Sequence, residues 1–352
     1  MRSLGFAIAD LGIVSTSLGV ALIVFEPTWG SLVNKLGAKK IFLFSTLLMA
    51  LVLFSYSLFT DLAGFIFLRF LTGVVGSANA VSTRTLVWQA IPRKEKAFGI
   101  WYAISAASAV IGPVLGGIVA AQSYVLTFYF SALIAAIALV LSIGISESTS
   151  SESVGTATTI KGMDKSERKA LLICSSLIIM PYFLRTVYMT FMPVFTKEST
   201  KFLLGPVEVG IAVSAMGVAG FFAPFAFSEL AARKDEKDVI ALGMVLEVVA
   251  FLLLPIIAGF PALLLTAILL GLGEAAISPC MMAFLISKFR FSNRGLAIGV
   301  YGAAEDIGIL TGPLAAGYLY QDYGAESSFY FTAGLMATNA VLVLPLLRKT
   351  SG

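Results

Sequence analysis

The chain has 352 residues, of which 58% are hydrophobic and 12% are charged, and its formal net charge is +4. Because soluble domains contain roughly 25% charged residues, a water-soluble fold could not bury this much apolar surface, and lipid must surround much of the chain. The sequence has no histidine, so the usual metal ligand and the usual proton shuttle near neutral pH are missing.

Eleven apolar runs follow one another along the chain, each long enough for the roughly 20 residues that a helix needs to cross a bilayer. They lie near residues 9–33, 40–60, 63–91, 97–120, 123–146, 170–196, 205–229, 238–258, 262–287, 295–320 and 327–347. The alternation typical of β-strands does not compete with these runs. The sequence therefore predicts an all-α integral membrane protein with eleven transmembrane helices.

The basic residues indicate how these helices are oriented. Of the 24 Lys and Arg residues, 18 lie in one alternating set of predicted loops, three lie in the other set, and three lie within helices. Since short cytoplasmic loops carry an excess of Lys and Arg, we expect the C-terminus in the cytoplasm and the N-terminus outside. This topology accounts for the net charge, and we expect no nucleic-acid partner.

One long polar segment divides the apolar runs into two groups. Residues 146–170 are rich in Ser, Thr, Glu and Gly, a composition typical of flexible linkers. The sequence thus predicts an N-terminal half at residues 1–146, a cytoplasmic linker at 147–169 and a C-terminal half at 170–352.

The two halves are related in sequence. A shift of 200 residues places Gly112 and Pro113 on Gly312 and Pro313, and it aligns several other glycines and alanines. Duplicated halves with a binding site between them are typical of transporters. We therefore expect two pseudo-symmetric helical halves.

The loop after the first apolar run resembles a motif of the major facilitator superfamily, G-x-L-x-D-R-x-G-R-K between family helices 2 and 3. Its matching positions in the segment GSLVNKLGAKK are Gly30, Leu32, Gly37 and Lys39. Asn34 replaces the usual Asp of the motif, and Lys35 replaces the usual Arg.

Two further motifs support the resemblance. The segment RFLTG, which begins at Arg69, resembles the arginine motif of family helix 4. The fourth apolar run resembles the antiporter signature of family helix 5, with matches at Gly99, Gly112, Pro113, Gly116 and Gly117. The run at 295–320 repeats this spacing with Gly312 and Pro313.

The resemblance implies a major facilitator-like fold in which the eleven runs fill family helices 2 to 12. Family helix 1 then has no counterpart. We expect either a truncated chain or a genuine eleven-helix variant, and we favour truncation.

Charged residues within the predicted helices are candidates for contact with substrate or protons, because a charge near the bilayer centre is costly unless it is paired or faces water. The candidates are Arg69, Arg185, Glu274, Glu305, Asp306 and, one turn from Arg185, Tyr182. The resemblance places the helices of Arg185 and Glu274 around the family's cavity. The alternatives are a static salt bridge for Arg69 and ordinary membrane core for the aromatic residues around Arg185.

Three other intramembrane charges are expected to be structural. We expect Arg84 to snorkel or to pair with Glu26. The resemblance makes the helix of Glu247 peripheral, so we expect its carboxyl to be protonated or paired.

The neighbouring acids Glu305 and Asp306 should have different roles. At about 100° per residue, Glu305 shares a face with Gly308 and Gly312, whereas Asp306 lies about 100° away and Ile307 about 200° away. We expect Glu305 in a seam of small residues where another helix approaches, Asp306 in the cavity, and the face of Ile307 toward lipid. A carboxyl removed from water binds a proton more readily, as proton coupling requires.

Together, the sequence and the resemblance predict a secondary active transporter that moves a small molecule by alternating access. Proton-coupled efflux across the cell membrane is the leading hypothesis. The alternatives are an uptake symporter or uniporter for a sugar or organic anion held by Arg69 and Arg185, or a truncated membrane protein without transport activity. We expect a monomer without metal or cofactor. We expect no enzymatic activity, since the sequence has no histidine and no nucleophile motif, and no ATP-driven transport, since no phosphate-binding loop is found.

Overall fold

The computed structural model describes residues 5–90, 94–145, 163–290 and 294–348. Within these ranges the chain forms eleven α-helices. They are α1 (Ile8–Leu36), α2 (Ala38–Ser55), α3 (Leu62–Ala90), α4 (Lys94–Gln122), α5 (Tyr124–Ser142), α6 (Lys165–Glu198), α7 (Pro206–Arg233), α8 (Glu236–Leu253), α9 (Gly259–Ser287), α10 (Arg294–Tyr323) and α11 (Ala325–Arg348). Each helix corresponds to one apolar run, in the predicted order, so the predicted all-α fold of eleven helices is confirmed.

Length and composition allow eight helices of the described part of the chain to cross a membrane. The other three are α4, α8 and α10. In α4, the apolar segment Ala107–Gln122 is shorter than a membrane span requires. Helix α8 begins with the charged residues Glu236, Lys237 and Asp238. Helix α10 carries the two neighbouring acids in its middle.

Helix ends depend on local signals that hydropathy does not report. Helices α1 and α2 are joined by Gly37, whose φ of 93° favours glycine. Helix α6 begins at Lys165, inside the segment predicted as linker. Asp164 precedes this helix, and its backbone N–H donates to Glu167 Oε2 at 3.0 Å, as in a capping box. Residues 147–162 of the predicted linker lie outside the described residues.

The helices pack in two groups. In the first group, α3 packs against α1 and α2, and α5 packs against α2 and α4. In the second, α6 packs against α10 and α11, and α9 packs against α7 and α8. The largest buried core lies in the second group, while the first group has two smaller clusters. The division of the chain into halves at residues 1–146 and 170–352 stays a prediction.

The first major contact between the groups joins α1 to α10. A Cβ added to Gly12 would collide with the Pro313 carbonyl oxygen, and one added to Gly19 would lie 2.7 Å from Leu310 Cα. Between these two glycines, Thr16 Oγ1 donates to the Leu310 carbonyl at 3.1 Å. We call this contact the α1–α10 seam.

The second major contact, between α4 and α7, is built in the same way, and we call it the α4–α7 seam. A Cβ added to Gly210 would collide with the Pro113 carbonyl oxygen, and one added to Gly217 would lie 2.8 Å from the Ala109 carbonyl oxygen. Between them, Ser214 Oγ donates to the Val110 carbonyl at 2.6 Å. Both seams thus use the spacing Gly-x3-Ser/Thr-x2-Gly, which lets helices approach closely.

A third close contact lies inside the second group, between α10 and α6. A Cβ added to Gly312 would lie 2.7 Å from both the Phe183 carbonyl oxygen and Thr186 Oγ1. In the first group, the equivalent glycine of α4, Gly112, has no atom within 4 Å of an added Cβ. Among the described residues, α4 therefore has no counterpart to α6 on this face.

This difference predicts opposite effects for the same substitution in the two copies of the motif. Gly312→Ala should destabilise the protein by about 1–3 kcal/mol, because the methyl group has no room against α6. Gly112→Ala should not destabilise it, because space is available and alanine favours the helix by roughly 1 kcal/mol. Thermal unfolding of the two purified variants in detergent checks this, and equal losses would contradict the packing described.

Candidate functional site

Arg185, in the middle of α6, forms an ion pair with Glu274 of α9 through Nη1 and Oε1. The side chains are 41% and 27% exposed, so the pair is neither sealed in the core nor fully open. Sequence analysis proposed both residues separately, and the structure brings them together. Because the arginine and the carboxylate neutralise each other, neither is an unpaired charge within the bilayer.

Small residues around Glu274 bring two further helices close to it. A Cβ added to Gly271 would collide with the backbone of Met216 on α7, and one added to Gly273 would lie 2.5 Å from Glu247 Cγ on α8. These contacts bring α7 and α8 close to α9, and they place Glu247 directly against α9.

Glu247 is a member of the site that the sequence analysis placed at the periphery. The residue is 3% exposed, and its side chain lines a small cavity together with Arg185 and Glu274. Three residues of α8 on the same face, Ile240, Gly243 and Met244, are also buried. These residues and Glu247 follow the spacing i, i+3, i+4 and i+7 of one helix face. This spacing was the sequence signal that could have located Glu247 in the core.

The two acids of α10 lie on different sides of the helix. Glu305 lies on the face of Gly308 and Gly312, which packs against α6, and Tyr182 of α6 is within hydrogen-bonding reach of it. Asp306 lies about 100° around the helix, on the side of Pro313, which faces α1. Which of the two carboxyls contacts substrate stays a prediction.

The opposite side of α10 is the exposed one. Ile307, Leu314 and Tyr318 are 42%, 38% and 48% exposed. These are large apolar or aromatic side chains, as expected for a surface that faces lipid. Their exposure agrees with a lipid-facing side of this helix, which stays a prediction.

Glu26 of α1 and Arg84 of α3 form the predicted ion pair, with 3.3 Å between Oε1 and Nη1. Both charges lie close enough to Glu305 and Asp306 to act on them electrostatically. Arg185 is in turn close enough to Glu305 for their charges to attract.

Charged side chains from both groups of helices thus form one electrostatic neighbourhood, the central cluster. Its members are Glu26, Arg84, Arg185, Glu247, Glu274, Glu305 and Asp306. Acids outnumber arginines in this set. The cluster therefore favours cations, whether protons or positively charged ligands.

Arg69 lies outside this cluster. The residue is half-buried on α3, one turn before Gly73, where α3 approaches Leu18 of α1. Among the described residues, Arg69 has no ion pair and no hydrogen-bonding partner. The static salt bridge considered for Arg69 is therefore not found in this part of the chain.

The remaining motif residues have contrasting surroundings. Gly30 has no atom within 4 Å of an added Cβ, and neither has Gly116, whereas Gly117 lies against the Pro206 carbonyl of α7. Lys35 is exposed and Lys39 is half-buried. The side chain of Asn34 and the surroundings of Gly99 lie outside the described residues.

Comparison with known proteins identifies the family. The family model described as the Major Facilitator Superfamily matches residues 1–202 and again residues 171–352. The chain belongs to the Major Facilitator Superfamily. It is a multi-pass membrane transporter of small molecules and not an enzyme, so the predicted family, fold class and transport function are confirmed.

Several relatives in this family resemble the chain over nearly its whole length. The quinolone resistance protein NorA of Staphylococcus aureus is 26% identical over 360 residues, which cover 98% of this chain and 89% of NorA. The multidrug resistance protein MdtG of Proteus mirabilis is 26% identical over 333 residues, covering 90% of this chain and 81% of MdtG.

Solved structures show the same fold. The crystal structure of the nucleoside transporter NupG superposes with a TM-score of 0.78 at 18% identity, covering 99% of this chain and 92% of NupG. The human organic anion transporter MFSD10 gives a TM-score of 0.68 at 17% identity, covering 96% of this chain and 83% of MFSD10. At these identities the likeness establishes the arrangement of helices and does not indicate the substrate.

The two arginines of the central cluster should differ in their effect on stability. Arg84→Gln removes one member of a half-exposed pair, and such pairs contribute about 0–1 kcal/mol. Arg185→Gln leaves Glu274 without its cation where α9 packs closely against α7 and α8, and an unpaired charge in such a contact is more costly. We expect a clearly larger loss of melting temperature for Arg185→Gln, measured on both purified variants in detergent. A loss at least as large for Arg84→Gln would contradict this assignment.

Proposed function

We propose that this transporter exports small lipophilic or cationic compounds across the cell membrane in exchange for protons. The names of two relatives, a quinolone resistance protein and a multidrug resistance protein, support export of drug-like molecules. The excess of acids over arginines in the central cluster supports a cationic substrate and a cationic coupling ion.

The observation that carries the proposal is the Arg185–Glu274 ion pair, with Glu305 within electrostatic reach of the same arginine. A carboxylate in this setting can be neutralised by Arg185, by a proton or by a cationic substrate. Because these three compete, binding of a proton and binding of substrate exclude each other at Glu274. Through this competition, each ligand lowers the affinity for the other. An exchanger requires such coupling between its two ligands.

Alternating access would occur between the predicted halves, residues 1–146 and 170–352, joined by the linker at 147–169. The α1–α10 and α4–α7 seams are where the two sets of helices approach most closely. With the C-terminus in the cytoplasm, both seams lie toward the outer side of the membrane. The structure would then correspond to a state closed toward the outside, and export would require the seams to open.

Transport in inside-out membrane vesicles tests this function. An acidic lumen should drive accumulation of a lipophilic cation such as ethidium, and a protonophore should release it. Glu274→Gln should lower gradient-driven accumulation by about tenfold or more, because the amide cannot exchange a proton.

The matched control for that experiment is Glu229→Gln. Glu229 is 66% exposed and pairs with Arg233 on the surface of α7, so its amide should transport like the unmodified protein. If the unmodified protein showed no response to the pH gradient, proton-coupled export would be wrong.

Arg69 favours a second candidate, uptake of an organic anion. The described residues provide no carboxylate to neutralise this arginine, so an anionic substrate is a chemically suitable partner. Arg69→Gln should then abolish uptake of an anionic dye such as fluorescein, while Arg69→Lys should retain part of it. Equal uptake by membranes with and without the protein would eliminate this candidate.

A further inference from the structure

Glu247 is the most deeply buried carboxyl of the central cluster. The residue is 3% exposed, and its Oε2 atom has no hydrogen-bonding partner among the described residues. The side chain lies across Gly273, where any larger residue would displace it. A buried carboxylate without partners is strongly unfavourable, so this group requires either a proton or a cation.

Among the described residues, only a few polar groups are near enough to satisfy that requirement. Arg185 from α6 and Glu274 from α9 line the same small cavity as Glu247, and both act on it electrostatically. Tyr188 from α6 is buried beside Phe251, one turn further along α8, with 6.3 Å between ring centroids. It contributes an uncharged ring at neutral pH.

The other helices packed against α8 have their charges elsewhere. In the described part of the chain, these charges lie near the helix ends: Glu208, Glu229 and Arg233 on α7, and Glu326 and Arg348 on α11. The groups that determine the charge state of Glu247 are therefore Arg185 and Glu274, and we call the three together the three-charge unit.

The three-charge unit holds one cation and two acids. Arg185 is paired with Glu274, so full ionisation would leave the buried Glu247 as an unneutralised charge. One bound proton makes the unit neutral, because one carboxylate then pairs with the arginine and the other carboxyl is uncharged. Because a neutral unit is strongly favoured in an apolar environment, the number of protons and the position of Arg185 are linked.

We infer that Glu247 is a proton-binding residue of the transport cycle and exchanges its proton through Glu274. This inference rests on the proposed proton coupling and adds a residue of α8 to it. With Arg185 on Glu274, the proton resides on Glu247. When Arg185 moves toward Glu305, both acids of the unit lose their cation, and a second proton neutralises Glu274.

The test compares Glu247→Gln with the unmodified protein in vesicles. The amide is a fixed imitation of the protonated acid, so ethidium should still move down its own concentration gradient at a similar rate. Accumulation driven by the pH gradient should fall by about tenfold, because coupling is lost. A variant that changed both rates equally would indicate a merely structural role and would overturn the inference.

Thr332→Val is the matched control. Thr332 is fully buried on α11, and its hydroxyl donates within its own helix to the Ser328 carbonyl at 2.7 Å. This variant removes a buried polar group of the same helical group without touching the three-charge unit, so it should retain coupling. Loss of coupling here as well would assign the effect of Glu247→Gln to disturbed packing and overturn the inference.

A spectroscopic measurement makes the test independent of transport. The unmodified protein should show the infrared carbonyl band of a protonated carboxyl in an apolar environment. Glu247→Asp keeps a carboxyl at this position and should shift this band. It provides the test if Glu247→Gln does not fold. An unshifted band would overturn the inference.

The proposed function and this inference can fail separately. If the unmodified protein does not respond to the pH gradient, proton-coupled export is wrong. If it responds and Glu247→Gln responds equally, only the role of Glu247 is wrong.

Discussion

A charge in an apolar medium must be paired, hydrated or neutralised, and this constraint organises the centre of the molecule. Placing one charge at the bilayer centre costs roughly 2.5–3.5 kcal/mol on insertion scales, yet α10 alone carries Glu305 and Asp306 in its middle. The structure meets the constraint by bringing Arg185, Arg84 and the acids of several helices into one neighbourhood. The same constraint links movement to protonation. When an arginine moves away from an acid, that acid binds a proton more readily.

The second constraint is that helices in lipid gain little from burying apolar surface against each other, so they associate through close packing and polar contacts. The α1–α10 and α4–α7 seams show how this works here. In each seam, two glycines remove the side chains that would separate the backbones, and one hydroxyl between them donates to a carbonyl of the facing helix. Such seams bring the helix backbones close together but hold few strong bonds, so they suit surfaces that must separate during transport.

The sequence predicted much of this arrangement because its signals are local. Apolar runs of the length of a bilayer indicated all eleven helices, and the 100° step of a helix separated Glu305 from Asp306. The pairing of Arg84 with Glu26 was also expected.

Two features were missed although the sequence contained a signal for each. The buried face of α8 includes Glu247 by its helical spacing, and a shift of 198 residues aligns Gly12, Thr16 and Gly19 with Gly210, Ser214 and Gly217.

By itself, the sequence determined that the chain is helical, lies in a membrane and carries charged groups at particular depths, since composition and periodicity act along a single helix. Only the tertiary structure decided which charges meet. Arg185 and Glu274 are 89 positions apart in the chain, and Glu247 joins them because Gly273 leaves room for its side chain. Pairing across such separations depends on which helix faces pack together, and that is a property of the whole bundle.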